Sequence, residues 1–463
     1  MFKYIRRVRG TVALAAVAAG LLPLGACNVK HELLAPQQPG VISPTSVANA
    51  TAAEALYAGA LDSWKQAMVN GDNNTEALFQ FDALFTDEVR SADTFSQRND
   101  ADQRVTQSND GVLTPIYNSA QQARGRARDA INSLLAFDTS PLGTAHTGEM
   151  YLAMGAIETA LSESFCNGVP YGETVNGQPV YGQPLSAVDG AKLSITRFDS
   201  ALIYLKGSDA TSTAIKNAVL IAKGRAQVDV GDFAGAAATV APVPTSFQYA
   251  WNYSITTIDN GWWVMGPAVK RYNAGDSISA AGIIQNAIPF AELKDPRVVT
   301  EDTHVQAEDR KSDFIQVNNW DRDDPVPPLS GIDARLIQAE AQLNAGNIGG
   351  MMTTLNALRT SPQTIGIFAI PAMAALPTPA DKTAATNLFF REKALWQYER
   401  GWRMGDLRRL VRQYGRTQDQ VYPNGKFARN TTPSGSYGTE VAFPVPDAET
   451  TNPNFHGCID TNA

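Results

Sequence analysis

Apolar residues recur along most of this chain at the three-to-four-residue spacing of an α-helix. Around residue 155, for example, Tyr151, Met154, Ile157, Ala160, Leu161 and Phe165 fall on one continuous helical face. The same pattern, rich in Ala, Leu, Gln and charged pairs, predicts helices over 51–69, 78–89, 115–135, 148–165, 193–205, 213–230, 233–240, 332–345, 351–358 and 386–414. Two stretches read as tetratricopeptide-like hairpins. Residues 214–240 run helix, then Gly231-Asp232-Phe233, then an Ala-rich helix; residues 333–358 run helix, then Asn344-Ala345-Gly346-Asn347, then helix. Alanine lets two helices approach closely, and glycine ends the first of each pair. Neither stretch follows a repeat consensus closely. The expected architecture is therefore a mostly α body of mutually supporting hairpins, with long irregular loops and a few short strands.

The helical pattern breaks over 167–189, 242–328 and 423–463, where Gly, Pro, Asn, Asp and aromatic residues dominate. Long irregular insertions in a helical body are functional or disordered, and Trp and Tyr argue against disorder. The middle break holds Phe247, Tyr249, Trp251, Tyr253, Trp262, Trp263, Tyr272 and Trp320. Flat rings set among amides, acids and arginines suit sugars or peptides, since the ring packs on C–H patches while polar groups meet hydroxyls. The same rings could equally fill a satellite core beneath a long loop. On the binding reading the site falls within 249–320. Its candidate ligand residues are Trp262, Trp263 and Trp320, joined by Arg90 and Asp93 from the stretch after the second helix.

The amino terminus sets the compartment. Residues 1–10 carry Lys3, Arg6, Arg7 and Arg9 and no acid, residues 11–24 are largely apolar, and the run ends Leu24-Gly25-Ala26-Cys27. A basic region, a short Ala-rich apolar region and small residues before a cysteine make a lipoprotein signal over 1–26, with lipidation expected at Cys27. Several acyl chains give stable anchoring where one is marginal. Residues 27–46 hold three prolines and read as an extended tether. Loss of the four basic residues takes the formal charge from −8 to −12. An acidic chain of this kind disfavours nucleic acid as a partner.

Motifs for the common chemistries are missing from the sequence: it has no H-E-x-x-H, G-x-S-x-G, P-loop, G-x-G-x-x-G or C-x-x-C. His31, His146, His304 and His456 are far apart. No catalytic residue, metal site or cofactor is expected. Asp321, Asp323 and Asp324 could offer oxygens to calcium, but the interleaved Arg322 favours an exposed acidic loop. Glu392 and Glu399 sit among Arg391, Lys393, Arg400 and Arg403, which points to ion pairing. Two cysteines remain after lipidation, Cys166 and Cys458. An even pair in an oxidising compartment favours a disulfide, against the alternative of two unrelated buried thiols.

Several motifs occur in an informative order. Glu158–Pro170 ends in Gly168-Val169-Pro170. Asp333-Ala334-Arg335-Leu336-Ile337-Gln338-Ala339-Glu340-Ala341 is followed by Phe390-Arg391-Glu392-Lys393, Glu399-Arg400-Gly401-Trp402-Arg403 and Asp406-Leu407-Arg408-Arg409. Phe443-Pro444-Val445-Pro446 and Asn452-Pro453-Asn454 close the series. In this order, behind a lipobox, the chain resembles the SusD/RagB family of nutrient-binding outer-membrane lipoproteins. It departs from the family at Cys166-Asn167 before the Gly-Val-Pro turn, at Leu113-Thr114-Pro115-Ile116-Tyr117, and in lacking an acidic tract after Cys27. The resemblance implies a SusD-like domain over 47–463, with an N-terminal part to about 310 and a SusD/RagB-type part over 311–463. It also implies a surface-facing outer-membrane location, a glycan or peptide ligand, a SusC-like TonB-dependent transporter as partner, and no catalysis. The rival readings are a surface hydrolase with paired carboxylates and a helical-repeat interaction scaffold.

Overall fold

The computed structural model describes residues 47–71, 75–175, 178–275, 284–429 and 432–463, so the signal, the tether and Cys27 lie outside the described residues. Helices dominate, in chain order α1 Ala50–Met68, α2 Leu78–Phe85, α3 Ser96–Gln103, α4 Leu113–Phe137, α5 Pro141–Ser164, α6 Ala187–Tyr204, α7 Ala210–Asp229, α8 Phe233–Val240, the single turn α9 Gly261–Trp263, α10 Gly331–Asn344, α11 Ile348–Arg359, α12 Lys382–Trp396 and α13 Arg403–Arg412. Neighbours pack in succession: α1 on α4, α4 on α5, α5 on α6, α6 on α7, α7 on α8, α8 on α10 and α10 on α11. Short connections force this stacking for α4 on α5, α6 on α7, α7 on α8 and α10 on α11, while the other pairs meet across longer segments.

Both hairpins legible in the sequence use one turn chemistry. Gly231 (φ +84°) and Gly346 (φ +75°) end α7 and α10 in the left-handed region that glycine enters without a Cβ penalty. The next residue caps the following helix: Asp232 Oδ1 accepts the Gly235 N–H, and Asn347 Oδ1 accepts the Gly350 N–H, each at 2.9 Å. Between α7 and α8 a Cβ on Gly224 would lie 2.5 Å from Val240 Cγ1, so glycine sets that close approach.

Strands are short and form small two- and three-stranded sheets. The pair that matters most is Gln248–Trp251 with Val326–Ser330, antiparallel, Trp251 opposite Val326 and Tyr249 opposite Leu329. It turns Trp251 inward, edge-on to Trp64 of α1 at 5.4 Å. One large apolar core runs through the stacked helices, and a smaller one gathers Phe290, Val298, Val317, Leu395 and Tyr398.

The helices depart from the sequence pattern in several places, among them Ser96–Gln103, which the pattern does not predict, and Ala187–Tyr204, which starts before the expected 193. The predicted helix over 78–89 stops at Phe85, because 89–91 pair as a strand with 272–274. The helix predicted from 148 starts at Pro141, where the Ser140 hydroxyl accepts the Gly143 N–H. The continuous helix predicted over 386–414 is two, α12 and α13. Glu399 (φ +57°) and Gly401 (φ +73°) turn the chain between them. Phe390, Leu395, Tyr398 and Trp402 therefore do not share one face: Phe390 and Trp402 join the large core, Leu395 and Tyr398 the small one.

Candidate functional site

The charged residues of the C-terminal motifs build a buried scaffold. Glu340 of α10 accepts from Lys393 Nζ of α12 and Arg409 Nη2 of α13, each at 3.1 Å, and Lys393 also reaches Asp406 Oδ1 at 2.7 Å. Against the cost of burial, Arg409 and Lys393 hold the Glu340 carboxyl down to about 2. Asp333 accepts from Arg400 and Gln397, while Glu392 accepts from Arg297 at 2.7 Å and Arg359 at 3.0 Å. Arg408 Nη1 donates to the carbonyls of Ser162, Glu163 and Phe165 at 2.7–3.0 Å, where α5 ends and its last carbonyls lack helical partners. These ties fix α10, α12 and α13 against one another. Breaking a buried pair of this kind by removing one partner costs about 3–5 kcal/mol.

Outside the scaffold, the same helices form a groove. Its main compartment is about 790 Å³ and is lined by Asn286, Asn344 at the end of α10, Lys382, Thr383, Thr386 and Asn387 along α12, Gln413, Tyr414 and Arg416 after α13, and Asp419 and Gln420. A second compartment of about 310 Å³ shares Asn286, Asn387, Arg416 and Gln420 and continues past Pro289, Phe390 and Arg391. The lining of the main compartment is thus mainly amide and hydroxyl, while the second is half apolar, through residues such as Ile288, Phe390 and Leu410; each compartment has one ring. Tyr414 meets Phe390 edge-on at 5.1 Å and donates its hydroxyl to Glu340 Oε1 at 3.0 Å. Other walls are also held: Asn286 Nδ2 donates to Asp419 O at 2.5 Å, Gln413 Nε2 to Val228 O at 2.7 Å, and Arg416 Nη2 to Asn387 Oδ1 at 2.6 Å. A groove of this size, with convergent polar groups on rigid elements, can bind a hydroxyl-rich or amide-rich ligand of several units.

The residues singled out in the sequence do not converge on it. Trp262 and Trp320 are core residues, 4% and 5% exposed, because aromatic loop segments close over the helices rather than opening a pocket. Trp263 is half-buried, with the Arg322 guanidinium 5.3 Å from its ring centre. Asp93 is buried and takes Arg98 Nη1 at 2.9 Å and Arg271 Nε at 3.1 Å, which makes it an anchor for two cations. Arg90 lies buried in the 89–91 strand opposite Asn273. None of these five lines the groove. Cys166 and Cys458 are joined, with Cα atoms 5.9 Å apart, inside the range a disulfide needs. The groove residues were missed because they come from four separate stretches. The polar face of α12, with Thr383, Thr386 and Asn387 at helical spacing, was the available signal.

No protein-family model and no curated protein sequence matches the chain. Solved structures do. The surface glycan-binding protein A from Bacteroides uniformis superposes with a TM-score of 0.62 at 14% identity, over 88% of this chain and 99% of that one. A SusD superfamily protein from Bacteroides thetaiotaomicron VPI-5482 gives 0.62 at 12%, over 89% and 100%. A SusD-like carbohydrate binding protein from Bacteroides vulgatus ATCC 8482 gives 0.59 at 13%, over 88% and 97%. The chain therefore has the SusD-superfamily fold, as the order of its motifs led us to expect.

Proposed function

We propose that this protein is a lipid-anchored receptor of the outer membrane. In this reading it captures a glycan in the groove between α12, α13 and the 286–289 segment and presents it to a TonB-dependent transporter. The observation that carries the reading is the groove itself, about 790 Å³ of mainly amide and hydroxyl lining on a SusD fold. Two of the similar structures are described as glycan- or carbohydrate-binding. The lipobox ending at Cys27 supports the anchor, and no helix among the described residues is long and apolar enough to cross a membrane. A binding role also fits the acids at the groove: Asp406 is held by Lys393 and Arg409, which leaves Asp419 without a second acid to work with. Paired carboxylates would be needed for glycoside hydrolysis.

The test is a binding screen of glycans and peptides on the soluble body, repeated with Asn387→Trp. Asn387 is exposed on α12, so the indole would fill the groove without disturbing the core. Loss of binding by about tenfold or more, with an unchanged melting temperature, is the expected result. A ligand that binds the variant and the parent equally well would place its site elsewhere. Mild-detergent extraction should recover the protein together with a β-barrel partner, and intact mass should show an acylated chain beginning at Cys27.

A further inference from the structure

Charge in the groove runs against the charge of the chain. The sequence as a whole carries a formal −8. Yet the groove presents Lys382, Arg391 and Arg416, and none of the three forms an ion pair with a described residue, whereas Arg297, Arg359, Arg400 and Arg409 nearby are each matched to carboxylates; the buried Arg403, which also lines the second compartment, donates to the Thr86 carbonyl at 3.0 Å. Arg416 is half-buried and its donor contact is the neutral Asn387 amide oxygen. Burial lowers its pKa, with no acid offsetting the cost. Two acids line the walls. Asp406 is neutralised by Lys393 and Arg409, and Asp419 receives the Gln418 amide at 2.6 Å. Asp381 stands beside Lys382, where its Oδ1 caps α12 by accepting the Ala384 N–H at 2.8 Å. The first turn of that fifteen-residue helix, at Lys382 and Thr383, adds the positive end of its dipole to the same wall.

We infer that the groove is built for an anionic glycan, one whose carboxylate or sulfate groups pair with Arg416, Arg391 and Lys382 while its hydroxyls meet the amides between them. This rests on the groove being the ligand site. Guanidinium groups suit the inference, since they bind planar carboxylates through two parallel N–H donors and are weakly hydrated. An unmatched, partly desolvated guanidinium gains most from such a partner.

The experiment is calorimetry with oligogalacturonates, their methyl-esterified neutral counterparts, and sulfated glycosaminoglycan fragments, at about 50 and about 500 mM NaCl. The variants are Arg416→Met, Lys382→Met with Arg391→Met, and the blocking Asn387→Trp. Lys382 and Arg391 are exposed, so their replacement leaves folding intact. The inference expects binding of at least one acidic series, weakened by salt, about tenfold or more weaker in each cation variant, and lost on esterification. The uronate and sulfate arms tell which anion is taken. Equal affinity for acidic and neutral sugars, or cation variants without effect while Asn387→Trp still blocks, would overturn the inference and leave the groove as a neutral-glycan site. Binding that survives Asn387→Trp would remove the groove reading itself. Binding of no acidic sugar also counts against an anionic glycan.

Discussion

Asp82 of α2 accepts the Ser164 hydroxyl at 2.8 Å in a fully buried setting, and burial pushes its carboxyl from 3.8 up to about 7. Burial likewise takes Glu88 up to about 8, although Arg403 opposes the shift. The folded chain therefore keeps protons that the unfolded chain releases above about pH 4. Proton uptake by the folded state means that this stabilisation is complete below the unfolded pKa and is lost as pH rises to about 7–8. Glu340 acts in the opposite sense. Its carboxyl is held at about 2, so its contribution is present above the ordinary 4.5 and is lost as pH falls towards 2. Stability should peak in mildly acidic solution and decline by a few kcal/mol towards pH 8. Urea midpoints measured from pH 4 to 9 check this. Asp82→Asn should flatten the alkaline limb, since an amide can still accept from Ser164 without being charged. An unchanged limb in that variant would assign the decline to other groups.

At the scale of elements, the turn between α12 and α13 carries the site. It lets Lys393 and Arg409, on different helices, meet the same Glu340, and so places the groove walls that Thr386, Asn387 and Tyr414 provide. Gly401 makes the turn possible: its φ is +73°, and a Cβ there would lie 2.2–2.4 Å from ring carbons of Phe79. Gly401→Ala should cost about 2–4 kcal/mol, from backbone strain plus overpacking, and urea denaturation would read it directly. A loss below about 0.5 kcal/mol would mean that the chain repacks around Phe79. This turn also marks where sequence reasoning stopped. Periodicity located most helices, because stacked helices need apolar stripes, and Gly231 and Gly346 announced their hairpins. It ran through 386–414 because Arg400 and Arg403 are good helix residues and a single Gly401 is tolerated in a helical pattern, yet Gly401 is where the chain turns between the two cores. The aromatic middle segment was ambiguous for a related reason. Composition says that rings are present, but the pairing of Gln248–Trp251 with Val326–Ser330 decides which way Trp251 points. The groove gave no local signature, since Asn286, Asn344, Asn387 and Arg416 meet only in the folded chain.

Across the whole molecule, the C-terminal tail is tied to the helical body at two depths. Phe443 is buried against Phe81, Phe85 and Phe165, its N–H donates to Ser164 O at 2.9 Å, and its carbonyl accepts the Cys166 N–H at 2.8 Å. Fifteen residues on, the Cys166–Cys458 bridge closes a loop of 292 residues. Around it the Ile459 N–H donates to Asn167 O at 2.7 Å, and Asn167 Nδ2 donates to Asp460 Oδ1 at 2.7 Å. Chain entropy alone would credit a loop of this size with about 5–6 kcal/mol. Phe443 and these hydrogen bonds already hold the tail, so the paired variant Cys166→Ser with Cys458→Ser should lose less, about 2–4 kcal/mol, and should still fold. Hydrogen exchange should then quicken first over 447–463, which has few helical hydrogen bonds of its own, while α10 and α13 keep their relative protection. None of the groove's lining residues comes from this tail. Ligand affinity at 25 °C should therefore be unchanged by the substitution or by reductant, even as the melting temperature falls. A melting temperature that stays put would mean that the bridge adds nothing to the noncovalent ties. A loss of affinity at temperatures where the variant remains folded would show that the tail, through Arg408 and α13, helps to set the groove.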